Sequence, residues 1–129
     1  MKKVFINMTN HPSEKWSSKQ LYAAHKYGDV VDIQFPQVSP TASIPNIINM
    51  ARSIVADICG TYDSDTKISV LVQGEMTLTY ALVSEFYRRE VDCYAACSDR
   101  VTEEVVNPDG TTTKKVTFKF IQFRMYPTF

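Results

Sequence analysis

The chain of 129 residues carries no net charge, since 14 Lys and Arg balance 14 Asp and Glu. That balance argues against sequence-independent binding of long DNA or RNA, which draws on many cationic contacts to phosphate. It leaves room for a small ligand whose few phosphates meet local donors. Glycine is scarce, with four residues. No G-x-G-x-x-G or Walker A run occurs, which weighs against NAD, FAD and P-loop nucleotide chemistry. No spacing of His, Cys and carboxylates resembles a zinc site, and no G-x-S-x-G elbow is present. No stretch approaches the ~18 apolar residues of a membrane span. Behind Met1-Lys2-Lys3 the apolar run stops at Asn7, far too short for a secretory h-region. The cysteines are three, an odd number. Cys59, Cys93 and Cys97 read as free, mostly buried thiols of a cytoplasmic protein. No repeat of solenoid length is visible.

What is present is a single domain's worth of alternating strand and helix signals. Residues 3–8 read as a first buried strand around Val4-Phe5-Ile6. Ser17 caps a first helix, Gln20 closes a capping box, and Trp16 staples onto Leu21; the helix runs to about Tyr27, with Gly28 at its C′ position. Asp29 to Phe35 is a second strand. Ser43 caps a second helix whose Ile44, Ile47, Ile48, Ala51, Ile54, Val55 and Ile58 form a stripe at spacings of three and four. Gly60 and the polar residues after it end that helix. Ile68 to Val72 is a third strand, and its near-continuous apolar character suits the centre of a parallel sheet. A third helix follows to about Glu90, with Leu78, Leu82 and Phe86 facing in. Val91 to Cys97 is a fourth strand.

The tail differs. Residues 100–106 and 114–126 flank Asn107-Pro108-Asp109-Gly110, a strong turn signal. The second arm keeps Val116, Phe118 and Phe120 on one parity and then switches to Ile121, Phe123 and Met125. That switch suggests a β-bulge near Phe120-Ile121, and burial of both faces there equally fits an oligomer interface. The expected fold is α/β: a Rossmann-like three-layer sandwich of four mainly parallel strands with helices on both faces, plus a C-terminal antiparallel β-hairpin. One domain covers residues 1–129, with a core over 1–99 and the hairpin over 100–129.

The segment Asn7-Met8-Thr9-Asn10-His11-Pro12-Ser13 stands where the first strand hands over to the first helix, the position at which open α/β sheets bind ligands. Asn7, Thr9, Asn10, His11 and Ser13 supply amide, hydroxyl and imidazole groups. The second loop adds Gln37, Ser39 and Thr41. The third adds Gln73, Gly74, Glu75, Met76, Thr77 and Thr79, and the end of the fourth strand adds Ser98, Asp99 and Arg100. Helix starts favour anions there, and Gly74 lets a ligand approach the backbone. His11 before Pro12 either orders its loop or serves as ligand or catalytic group. Thr77 either caps the third helix or meets ligand. Glu75 is favourable at a helix start in any protein, and is also a candidate base. Arg100 pairs with a phosphate or with a nearby carboxylate. His25 reads as a surface residue.

These motifs carry a resemblance. Asn7 to Pro12 with Trp16-Ser17, Tyr27-Gly28-Asp29, Phe35-Pro36, Gln73-Gly74-Glu75-Met76-Thr77, Tyr80-Ala81-Leu82 and Ser98-Asp99-Arg100 are similar to a family of small CARF-like accessory proteins of type III CRISPR loci. The resemblance runs over essentially the whole chain. It implies a homodimer that binds a cyclic oligoadenylate second messenger, with cyclic tetra-adenylate first. It implies either slow metal-independent cleavage of the messenger (ring nuclease), which damps the CRISPR signal, or sequestration without cleavage. No cofactor and no metal are implied. On this reading Asn7, Thr9, Asn10, His11, Ser13, Gln73, Gly74, Glu75, Met76, Thr77, Ser98 and Arg100 hold the ligand. Glu75 accepts the ribose 2′-hydroxyl proton and His11 protonates the leaving oxygen, while Met76 and Trp16 are the neighbours for adenine. A rival reading is an unrelated α/β enzyme acting on another nucleotide or phosphoester.

Overall fold

The computed structural model describes residues 1–129. Its elements run β1 (Lys3–Met8), a 3-10 turn (Ser13–Lys15), α1 (Ser18–His25), β2 (Asp29–Asp32), α2 (Ile44–Thr61), β3 (Lys67–Val72), α3 (Met76–Arg88), β4 (Asp92–Val106) and β5 (Thr112–Met125). The sheet order is β2-β1-β3-β4-β5. The first four strands pair in parallel, because each connection between them carries a helix, whereas β5 runs antiparallel to β4 across the Asn107–Gly110 turn.

The expected Rossmann-like sandwich of four strands with an appended hairpin is corrected by this topology. The sheet is a mixed, curled half-barrel of five strands. Its fourth strand does not stop at Cys97. Only Asp92, Cys93 and Tyr94 pair with β3, and β4 then continues for 15 residues in all, partnered by β5 along nearly its whole length. The fourth strand and the first hairpin arm are therefore one strand. No turn residue interrupts Ser98-Asp99-Arg100, and a long antiparallel partner satisfies its backbone. The pairing passes from Cys97–Gln122 to Ser98–Phe120, so Ile121 is the extra residue of a bulge. A bulge bends its strand and increases the local twist. Here it also turns Phe120 and Phe123 to the same face, as the switch in apolar parity had indicated.

Two unlike layers flank the sheet. On one face α2 and α3 bury Ala51, Val55, Ile58, Leu78, Leu82 and Phe86 against Ile6, Met8, Val70, Val72 and Cys93. On the other face α1 is only eight residues long and buries Ala24 alone. Aromatic rings complete the cover. Phe5 lies 5.0 Å from Phe123 and 5.4 Å from Tyr27, and Tyr27 lies 4.7 Å from Tyr94, centroid to centroid. The incomplete helical cover leaves an open crevice beside α1.

Local chemistry fixes the helix ends. Ser17 accepts from the Gln20 amide to cap α1, but α1 ends at His25. Ser43 and Asn46 form a reciprocal capping box on α2. That helix runs through Gly60 to Thr61, whose hydroxyl donates to the Asp57 carbonyl. Gly28 sits at φ 147°, and a Cβ there would collide with the Lys3 carbonyl, so only glycine lets the chain start β2 against β1. No helix is long and apolar enough to cross a membrane.

Candidate functional site

A cavity of about 710 Å³ opens beyond the carboxyl ends of β1 and β3, between the first loop, the start of α1 and the emerging ribbon of β4 and β5. That is within the size range of small-molecule sites. Its floor is Leu71, Gln73, Gly74 and Ala96. One wall carries Thr9, Asn10, His11, Lys15, Trp16, Ser17 and Gln20, and the opposite wall carries Ser98, Phe118 and Phe120.

The first loop is held by its own polar groups. Asn7 is 1% exposed, and its amide donates to the His11 carbonyl at 2.8 Å and to Asp32 Oδ1 at 2.9 Å. The Thr9 hydroxyl donates to Asn7 Oδ1 at 2.8 Å and accepts from the His11 amide at 3.1 Å. Asp32 also accepts from the Ser13 hydroxyl at 2.9 Å. Trp16 Nε1 donates to the same His11 carbonyl at 3.2 Å. Asn7, Thr9 and Ser13 thus shape the loop, while the side chains of Asn10 and His11 remain exposed at the crevice. Asp32 was not among the expected residues. Its only signal in the sequence is its place at the end of the second strand, where β1–β2 register sets it beside Asn7.

The turn after β3 is equally occupied. The Gln73 carboxamide accepts from the Ala96 amide at 2.9 Å and donates to the Ala96 carbonyl at 3.4 Å. It imitates a strand residue just where β4 leaves β3. Gly74 has no side chain because the buried ring of Phe35 fills the space a Cβ would take. Glu75 is the N-cap of α3: Oε1 accepts from the Leu78 amide at 2.7 Å and from the Thr77 hydroxyl at 2.5 Å. The Thr77 hydroxyl first, then the Leu78 amide, hold the Glu75 carboxyl below the ordinary carboxylate range. A carboxylate already sits where an external anion would meet the start of α3, and its capping oxygen has little free acceptor capacity.

The remaining expected residues divide. Ser98 lines the crevice. Arg100 lies two residues further on, on the same face of β4 by alternation, paired in register with Phe118 and outside the cavity wall. Met76 is 84% exposed and faces a separate, largely apolar groove of about 760 Å³ between α3 and residues 126–129, which Thr79 also lines. Ser39 and Thr41 bond each other at 2.9 Å in their own loop. Gln37, Ser39 and Thr41 do not line the cavity, and Asp99 and His25 are exposed outside it. Lys15, Gln20, Phe118 and Phe120 entered the site without having been expected there. Nothing in the sequence ties residues 15–20 to residues 118–120 before β5 is paired.

Fold and site together define a mixed α/β protein with a polar, aromatic-walled crevice at the carboxyl ends of its central strands. The chain belongs to the uncharacterized protein MJ1673 family, whose model matches residues 3–124. The matched span covers every helix and, Met125 apart, every strand, and so the whole crevice. No curated protein and no solved structure matches the chain.

Proposed function

We propose that the crevice binds a phosphate-bearing nucleotide, and that cyclic oligoadenylate, cyclic tetra-adenylate first, is its ligand. The observation that carries this reading is the pairing of exposed donors with aromatic walls. Asn10, His11, Lys15, Gln20 and Ser98 face the same space as Trp16 and Phe118. Donors and a cation suit phosphate and ribose, and rings suit bases. The resemblance to CARF-like accessory proteins of type III CRISPR loci supplies the cyclic ligand, and with it a role in damping that signal in the cytoplasm.

Removal of the ligand proceeds by slow, metal-independent transesterification. The ribose 2′-oxygen attacks the adjacent phosphorus, the bond from phosphorus to the 5′-oxygen breaks, and a 2′,3′-cyclic phosphate forms. The 2′-proton passes to solvent, and the leaving 5′-oxygen takes a proton from His11. The protein's contribution is mainly to hold the 2′-oxygen in line and to stabilise charge on phosphorus-bound oxygens. Glu75 is left out of this step because its Oε1 caps α3, accepting from the Leu78 amide and the Thr77 hydroxyl. The same fact favours the second reading, in which the ligand is sequestered intact.

A homodimer is part of the proposal. Beyond Ser98 the β4–β5 ribbon is exposed on both faces, including Val106 and Val116. On one face its β4 arm carries Asp99 and Glu103, in register with Lys119 and Lys115 of its β5 arm. A second ribbon laid face to face, with a twofold axis along its length, sets acidic arm on basic arm.

A thermal-shift titration with cyclic tri-, tetra- and hexa-adenylate tests binding, and chromatography of the same samples tests cleavage. A native-state ligand raises the melting temperature by mass action. A shift with cyclic tetra-adenylate and linear products supports the ring nuclease. A shift with intact ligand supports sequestration, and no shift with any ring overturns the reading.

A further inference from the structure

We propose that Phe118 is the platform on which a purine base of the ligand stacks, with Trp16 forming the facing wall. This rests on the nucleotide reading above and goes beyond it by naming the base-selective residue.

A row of aromatic side chains crosses the α1 face of the sheet. Trp16 lies 6.3 Å from Phe123, and Phe123 lies 4.8 Å from Phe120, centroid to centroid. Phe123 and Phe120 are buried at 8% and 7% exposure. Phe118 is next on the same face of β5 and is 70% exposed. The row therefore passes through the buried rings of Phe123 and Phe120 and ends as a bare ring in a polar crevice. Packing within the chain accounts for the first three rings and leaves the fourth unaccounted for. Phe118 lines the cavity together with Trp16 and the donors His11, Lys15 and Gln20. Its cross-strand partner in register is Arg100, so a ring on Phe118 lies within reach of a guanidinium as well as a π-face.

A base stacked there gains contact with a ring that now faces water. The alternative neighbour, Met76, stands in the other groove. Purines present a larger face than pyrimidines, so the platform favours adenine over uracil in rings of the same size. Base stacking on aromatic residues corresponds to a loss of about tenfold or more in affinity when the ring is removed.

The test titrates cyclic tetra-adenylate and cyclic tetra-uridylate into the wild type, Phe118→Ala and Phe118→Trp by calorimetry. Quenching of Trp16, the one tryptophan of the chain, gives a second readout in the first two proteins. Phe118 is exposed, so the alanine variant is expected to keep the wild-type melting temperature. The expected result is a loss of about tenfold or more for cyclic tetra-adenylate in Phe118→Ala, a smaller loss for cyclic tetra-uridylate, and recovery in Phe118→Trp. Unchanged affinity in Phe118→Ala overturns the platform while leaving the nucleotide reading in place. Unchanged affinity with a shift from dimer to monomer overturns it in favour of a ring that packs on a second copy. A wild type that binds neither ring overturns cyclic tetra-adenylate as the ligand, and the platform with it.

Discussion

Asn7 and Asp32 stand opposite each other at the ends of β1 and β2, joined by a 2.9 Å hydrogen bond from amide to carboxylate. Through that pair the first loop is tied to the sheet at both ends, because Asn7 also holds the His11 carbonyl and Asp32 also holds Ser13. Replacing Asn7 by Ala removes a buried amide that donates to the His11 carbonyl and to Asp32, and leaves the buried Thr9 hydroxyl without its Asn7 acceptor. The expected cost is about 2 kcal/mol, from the usual penalty for unmatched buried polar groups. Urea unfolding of Asn7→Ala and Asp32→Ala measures it. A variant as stable as the wild type contradicts the tie.

Glu75 gives a pH signature. Its folded pKa lies below the ordinary carboxylate value, so the unfolded chain takes up the proton first as pH falls. The cap's contribution is present above about 4.5 and is lost as pH drops through the lower folded value. Melting curves of the wild type and Glu75→Gln are expected to differ at pH 7 and to draw together as pH falls through and below the ordinary carboxylate range. The same variant separates two chemistries. Losing a general base typically costs 10²–10⁴-fold in rate, whereas losing a cap leaves ligand cleavage within about tenfold.

Cys93 is the inert thiol of the three. Burial first, and the neighbouring Asp92 charge second, push its pKa up to about 12. At pH 8 almost none is thiolate, and the side chain is enclosed. Ellman's reagent is expected to label the half-buried Cys59 and Cys97 in the native protein, with Cys93 reacting at the rate of unfolding. Prompt labelling of three thiols contradicts this.

Phe123 belongs to the interior of the single chain, against Phe5 and Tyr27. Phe123→Asp is expected to abolish native circular dichroism, since truncating a buried phenylalanine alone costs about 3–5 kcal/mol and a buried charge adds to that. Met125→Asp, on a partly exposed side chain, is expected to fold. Of the two, only the Met125 variant can report on dimerisation by light scattering.

Patterns that depend on near neighbours were legible in the sequence. The isoleucine stripe of α2 and its Ser43 cap, the buried third strand, and the bulge betrayed by Phe120, Ile121 and Phe123 all follow from local spacing. The course of β4 was not legible. Its continuation past Cys97 depends on a partner more than 20 residues away, and Ser98-Asp99-Arg100 suit a strand or a loop equally. The site was legible in place more than in role. Asn7, Gln73 and Glu75 are polar residues at strand ends, where a ligand contact and a structural fastening look alike in one dimension. The structure gives each a fastening, to Asp32 and His11, to Ala96 and to Leu78 respectively, while Gln73 also lines the crevice.

The Gln73–Ala96 link has a mechanical consequence. One wall of the crevice is fixed to the body of the molecule, while the other rides on the ribbon, which leaves β3 just beyond that link. From Ser98 the ribbon extends eight residues to Val106, a lever of roughly 26 Å at 3.3 Å per residue. A load on the tip therefore bears on the crevice wall, which the Gln73 amide and the buried rings of Phe120 and Phe123 together hold to the body.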